Sequence, residues 1–257
     1  MDASPLQPHE SATYRTLRWG TALLGLALPW VLWIGGLLGG RPLQDSMSAY
    51  YYTVMRDEFV GILVAIGALL VVYRGYTQLE NVALDLAGVF LPGVALVPMR
   101  EGGSGLSLHG TFAVLFFLCV AYVCLFRAGD TLGLVANDAV RRRFRVVYRL
   151  TGGLMVASPL IAVLLSFLLE PRSPWRAVVF FAEAAGVYVF AAYWIAKSIE
   201  IRITDSERLA MVGKLWARRH GLADVFRPIE VRPNLAPPPA GAPLPGMGPG
   251  ELLPIVL

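Results

Sequence analysis

Six apolar runs divide this chain, and each approaches the roughly 20 residues that a helix needs to cross a bilayer. They cover Leu17 to Leu38, Phe59 to Tyr73, Val82 to Val97, Leu108 to Phe126, Leu150 to Leu169 and Trp175 to Ile195. No strand is that long, and in lipid only helices and closed barrels satisfy every backbone polar group. The runs therefore predict an all-α fold, a polytopic membrane bundle of six transmembrane helices. Composition agrees: charged residues are 16% of the 257, against about 25% in an average soluble domain. A water-soluble fold, a disordered chain and a disulfide scaffold are all poor fits. The first run is longer than the 7–15-residue core typical of a signal peptide, and no clear A-x-A site follows it, so it is expected to be a retained helix.

Basic residues set the expected orientation. With the N-terminus inside, 17 of the 22 Lys and Arg fall in inner segments, and only Arg41, Arg56, Arg100, Arg172 and Arg176 fall in outer loops. The positive-inside rule then places both termini in the cytoplasm. The expected organisation is a cytoplasmic segment over 1–16, the six-helix membrane domain over 17–197, a cytoplasmic amphipathic helix over 198–220 and a Pro/Gly-rich disordered tail over 221–257. The amphipathic helix rests on Thr204 or Asp205 as cap and on Leu209, Val212, Leu215 and Trp216 sharing a face. The tail rests on its lack of periodicity and on Pro237-Pro238-Pro239.

The inner loop before the fifth run carries Arg141, Arg142, Arg143 and Arg145. Asn137 or Asp138 caps a helix there, with arginines opposite Val140, Phe144 and Val147. Snorkelling is the plain reading of those arginines, and contact with anionic lipids the sharper one. No nucleic-acid-binding face is visible, because no folded basic domain is present to carry it.

Chemistry-bearing residues concentrate on the outer side. The loop Arg41 to Glu58 holds Asp45, Ser46, Ser48, Tyr50, Tyr51, Tyr52, Thr53, Arg56, Asp57 and Glu58, and the next two outer loops add Gly102, Gly103, Ser104, Ser107, His109, Glu170, Arg172, Ser173 and Arg176. Much of this is ordinary for an interface: tyrosines favour the headgroup level, and Asp57 suits a helix N-terminus. The density of hydroxyls, both charge signs and aromatics still marks a candidate headgroup site at Ser46, Ser48, Tyr51, Tyr52, Arg56, Asp57 and His109, with Glu183 as a further ligand-binding candidate and Arg56 available to a phosphate or carboxylate.

A three-histidine zinc site is excluded within the bundle, since His9 and His220 lie in terminal segments and leave only His109. Carboxylates Asp45, Asp57, Glu58 and Glu170 have no diagnostic cation spacing. No metal, cofactor or catalytic residue is assigned. Cys119 and Cys124, five apart in one apolar run, read as small buried residues.

Two acids sit inside apolar runs, Asp85 and Glu183. Intramembrane acids are functional candidates by default. Asp85 lies near its inner boundary, within reach of Arg74 or Arg149. Glu183 is deeper, and is expected to be protonated or hydrogen-bonded to a tyrosine or serine of another helix. Asp85-Leu86-Ala87-Gly88-Val89-Phe90 resembles Glu183-Ala184-Ala185-Gly186-Val187-Tyr188, as an inverted repeat would, with Pro92 and Gly93 placed to interrupt the third helix. Gly61, Gly67, Gly88 and Gly186 are more simply close helix contacts.

The segment Ser46-Met47-Ser48-Ala49-Tyr50-Tyr51-Tyr52-Thr53-Val54-Met55-Arg56-Asp57, continuing through Phe59-Val60-Gly61, resembles the S-x-S-x-Y-Y-x-T-x-x-R-D-x-F-V-G stretch of an uncharacterised group of bacterial multi-pass membrane proteins. His109 to Phe126, and the last helix with Glu183, Phe190, Trp194 and Lys197, are similar to that group as well, so the likeness spans about Arg18 to Lys197. Some members carry His where this chain has Tyr52. The resemblance implies a six-helix inner-membrane protein and names no activity.

The functional expectation is a membrane protein that binds a small amphiphile or lipid headgroup at an extracytoplasmic polar mouth. The alternatives are a proton-coupled transporter using Glu183 and Asp85, and a lipid-modifying enzyme with His109 as base beside Ser48 or Ser46. The sequence leaves oligomeric state open.

Overall fold

The computed structural model describes residues 7–99, 107–169, 175, 177–211, 213–218, 224–229, 231–233 and 252–254. Helices dominate it: α1 (Gln7–Leu38), α2 (Arg56–Val72), α3 (Gln78–Leu96), α4 (Leu108–Tyr122), α5 (Asp138–Leu168), α6 (Ala177–Thr204) and the short α7 (Ser206–Met211). Five stretches are long and apolar enough to cross a membrane: Ala12–Leu38, Gln78–Leu96, Leu108–Leu134, Asp138–Leu168 and Ala177–Thr204. The second expected span, α2, is 17 residues long and falls just short of that length.

Side-chain oxygens start three of the helices. The Thr77 hydroxyl accepts the Glu80 N–H, the Ser107 hydroxyl accepts the Gly110 N–H, and the Asn137 amide oxygen accepts the N–H groups of Ala139 and Val140. Each satisfies donors that a helix N-terminus would otherwise leave bare. Asp57 does not act this way: the cap of α2 is Met55, and Asp57 lies in the first turn, where a carboxylate still favours the helix dipole. Pro92 does not interrupt α3, which runs through it to Leu96.

Consecutive helices pack on one another, and α1 closes against α6, so six helices form a ring. The α2–α3 seam depends on glycine. A Cβ on Gly67 would lie 2.7 Å from the Gly88 carbonyl oxygen, and one on Gly88 would lie 2.6 Å from the Gly67 carbonyl oxygen. Gly186 likewise meets Ser158, whereas Gly61 has nothing within 4 Å and is not a helix contact. Below α4 the chain widens into a π-helical turn, Val123–Arg127, and then a 3₁₀ stretch, Ala128–Leu134. Single π turns of this kind shift the helix register; here the turn ends on the buried Arg127.

The C-terminal region corrects two expectations. Thr204 to His220 is not one amphipathic helix. Asp205 (φ 49°) and Gly213 (φ 66°) take left-handed backbone on either side of α7, which ends a right-handed helix. The chain then forms β1 (Leu215–Arg218), with Leu215 fully buried rather than on an interfacial face. Nor is the whole tail without structure. Strands β2 (Val231–Pro233) and β3 (Leu252–Pro254) pair antiparallel with β1 in the order β2-β1-β3, an exception to the all-α expectation. Buried Ile201, Ala210, Leu215 and Val231 pack with Tyr76 as a small second core that ties this sheet to the bundle.

Candidate functional site

The hydroxyl-rich loop between α1 and α2 folds into a 3₁₀ turn, Ser48–Tyr52. Most of its polar groups are consumed in building it. The Ser46 hydroxyl accepts the Ala49 N–H at 3.1 Å. The Thr53 hydroxyl donates to the Tyr50 carbonyl and accepts from the Met55 N–H. The Tyr50 ring is fully buried, and burial raises its phenol pKa above the ordinary value. The Asp45 carbonyl accepts the Phe180 N–H at 3.0 Å, which fastens the loop to the start of α6.

The expected site residues separate into two groups. Arg56 donates to the Tyr51 hydroxyl at 2.7 Å, with its guanidinium 4.4 Å from that ring's centroid, and is exposed. Tyr52 is 54% exposed and donates to the Met99 carbonyl. Asp57 is exposed on the first turn of α2. None of these four lines the interior cavity described below.

Ser46, Ser48, His109 and Glu183 do converge, at one end of a cavity of about 920 Å³ in the middle of the ring. His109, the second residue of α4, is buried. Its Nδ1 is 2.9 Å from the Val97 carbonyl oxygen and its Nε2 is 2.7 Å from the Ser48 hydroxyl. A carbonyl only accepts, so Nδ1 carries the proton. In the neutral imidazole Nε2 then accepts from Ser48. Glu183 reaches the same loop: its Oε2 accepts the Met47 N–H at 2.7 Å. Its partner is therefore backbone at the turn's N-terminus, rather than the tyrosine or serine side chain expected.

Away from this polar end the cavity is apolar. Leu63, Ile66, Leu91, Ala113, Ala162 and Val187 are among its walls, and Phe116 and Phe190 lie across its depth with ring centroids 5.6 Å apart. One polar atom interrupts the wall: the Ser158 hydroxyl is buried and has no hydrogen-bond partner among the described residues. Phe190 in turn packs on Trp194, and Trp194 on Tyr73 and Tyr193. This aromatic layer separates the cavity from what lies beneath.

Beneath it is a cluster that the sequence reading did not anticipate. Lys197 and Glu200 are both fully buried and form an ion pair at 2.9 Å. Thr131 donates to Glu200 at 2.6 Å and accepts from Lys197 at 2.7 Å, and Tyr148 also donates to Glu200. Arg127 faces Asp130 at 3.7 Å and donates to the carbonyls of Asp224, Val225 and Arg227. Asp130 accepts the Ile229 N–H at 2.8 Å, so the pair pins the tail to the bundle. Arg18 pairs with Glu207. In the α2–α3 loop the Tyr76 hydroxyl meets Ser206 at 2.9 Å, and burial holds that phenol protonated well above its usual range. Lys197 and Glu200 at i,i+3 near the end of an apolar helix are the signal for this cluster in the sequence.

Asp85 is not a buried acid. Its two carboxylate oxygens accept from one guanidinium nitrogen of Arg74, at 3.0 and 3.1 Å, on the surface, the Asp85 and Arg74 side chains being 39% and 44% exposed. It shares no cavity with Glu183. Among the described residues no group of three or more His, Cys, Asp or Glu could hold a metal ion, and both cysteines are free. Gly102, Gly103, Ser104, Glu170, Arg172, Ser173 and Arg176 lie outside the described residues. Arg141 is occupied by Asp138 and the Val135 carbonyl, while Arg142, Arg143 and Arg145 continue along the start of α5 and are exposed. No family model, curated protein or solved structure matches the chain, so the site rests on its own geometry.

Proposed function

We propose that this protein is a six-span inner-membrane protein that binds a small amphiphile, with the chain in the central cavity and the head beside Ser46, Ser48, His109 and Glu183. At a rise of 1.5 Å, the 17 residues of α2 extend about 25 Å, which is close to the roughly 30 Å hydrocarbon core. Counting α2 as a span alternates the six helices and leaves both chain ends on the arginine-rich side, which the positive-inside rule makes cytoplasmic. The Ser48 end then faces out of the cell. The likeness of Ser46 to Gly61 to bacterial multi-pass proteins favours the inner membrane, and the exposed arginines at the start of α5 suit anionic headgroups of the inner leaflet.

One observation carries the binding reading: a cavity of about 920 Å³, apolar along most of its wall, with most of its polar groups gathered at one end. Ligand pockets generally measure about 300–1,000 Å³ and combine apolar walls with a few placed polar groups. The test is displacement of a fluorescent fatty acid from the full chain in detergent. Ala113→Trp and Ala162→Trp, which fill the cavity, are expected to abolish binding, and Arg56→Ala to leave it unchanged. Equal binding by all four proteins would refute the assignment.

A further inference from the structure

We propose that Ser48 and His109 are a nucleophile–base pair that hydrolyses the carboxylic ester of an acyl amphiphile held in the cavity. The inference rests on the binding reading above and adds a reaction to it.

A buried histidine needs partners for both ring nitrogens, and a serine is an adequate one. Three features go beyond that need. The first is direction. The Val97 carbonyl accepts a hydrogen bond from Nδ1–H at 2.9 Å, so Nε2 presents its lone pair to Ser48 at 2.7 Å. That is the arrangement of a serine hydroxyl facing its general base, with a third group fixing the ring. Here a carbonyl holds the ring where many such sites use a carboxylate.

The second feature is elimination. Ser46 and Thr53 spend their hydroxyls on backbone turns, Tyr51 is engaged by Arg56, and Tyr52 reaches Met99. Ser48 is the hydroxyl of this loop that meets a base. The third is location. Ser48 and His109 both line the cavity, at the end where its apolar wall gives way to polar groups. A chain lying along Ala113 and Ala162 therefore brings the ester carbonyl at its end toward Ser48.

The reaction balances with water as the only co-reactant. The Ser48 oxygen bonds to the ester carbonyl carbon as its proton passes to His109 Nε2. The tetrahedral adduct expels the alcohol oxygen, which takes that proton from Nε2. The acyl group is left on Ser48. A water molecule then attacks the same carbonyl carbon and gives a proton to Nε2. Cleavage of the Ser48–acyl bond returns that proton to the serine and releases the fatty acid.

The experiment uses the full chain in detergent micelles, an alkyl fluorophosphonate as covalent probe, and p-nitrophenyl octanoate as substrate. Peptide mass spectrometry is expected to find the phosphonate on Ser48. Labelling is lost in Ser48→Ala, and hydrolysis falls by about 100-fold or more in His109→Gln, within the range for loss of a general base. Arg56→Ala labels and hydrolyses like the parent. Fluorescent fatty-acid binding by the parent, measured beside labelling and hydrolysis, separates chemistry from binding. If His109→Gln does not fold, labelling of the parent at Ser48 against Ser48→Ala decides the question alone. A folded parent that binds the fatty acid but is neither labelled at Ser48 nor hydrolytic overturns the catalytic pair and leaves the binding reading standing. A parent that fails to bind the fatty acid overturns both.

Discussion

Helix α6 passes through two polar regions that differ in one respect. At Glu183 the polar groups border a large cavity; fourteen residues on, about 21 Å along the axis, Lys197 and Glu200 face each other with Thr131 and Tyr148 closing around them. The lower cluster pairs buried charge with buried charge and fastens the loop after α4 and the tail to the bundle. The upper cluster pairs Ser48 with His109, leaves Ser158 unpartnered, and has space beside it. Polar groups that face one another hold a fold together, whereas polar groups that face a void are available to a ligand.

Substitutions can break this contrast in order of expected size. Lys197→Met leaves the Glu200 carboxylate buried without its cation, and breaking a buried pair from one side costs about 3–5 kcal/mol. Thermal unfolding of the detergent-solubilised protein, followed by tryptophan fluorescence, should show that loss, and Lys197→Met/Glu200→Met should recover much of it. A single variant as stable as the parent would remove the structural role assigned to the lower cluster. Next is Gly67→Ala, which drives a methyl into the Gly88 carbonyl across the α2–α3 seam; overpacking of this kind costs about 1–3 kcal/mol. Gly186→Ala meets the Ser158 hydroxyl instead, which can rotate, so the same assay should show a smaller loss.

Smaller again is Ser48→Ala, which removes one hydrogen bond beside an open cavity, at about 0.5–1.5 kcal/mol. The variant should stay folded, and its loss should appear in labelling by the fluorophosphonate. Smallest is Arg74→Ala. Its ion pair with Asp85 is exposed on both sides, and such pairs are worth about 0–1 kcal/mol. An unfolding midpoint close to the parent's is expected, and a large drop would restore Asp85 as a buried functional acid.

The apolar runs made the helices legible, because their length alone excludes strands, and Asn137 announced the start of α5. The C-terminal region was not legible. Its strands are three or four residues long, and Leu215 reads equally well on a helix face or in a strand until Gly213 and pairing with Val231 decide it. At the site, Ser48, His109 and Glu183 were recognisable by residue type, but their meeting is a matter of tertiary placement, with 61 residues separating Ser48 from His109. Tyr51 and Tyr52 share the 3₁₀ turn with Ser48 without sharing its cavity, because such a turn sends neighbouring side chains in different directions, and Arg56 and Asp57 stand exposed on the first turn of α2. Asp85 and Glu183 looked alike in local sequence, yet one lies at the surface with Arg74 and the other against the Met47 backbone. Local similarity carries no information about what a side chain meets.

The most direct test of the central claim is an experimental density map of the full chain in nanodiscs of native lipid. Elongated density is predicted between Ala113 and Ala162, ending in a polar group within hydrogen-bond distance of Ser48 or His109. A collapsed ring with α4 packed tightly against α5, and no density at that position, would contradict the account.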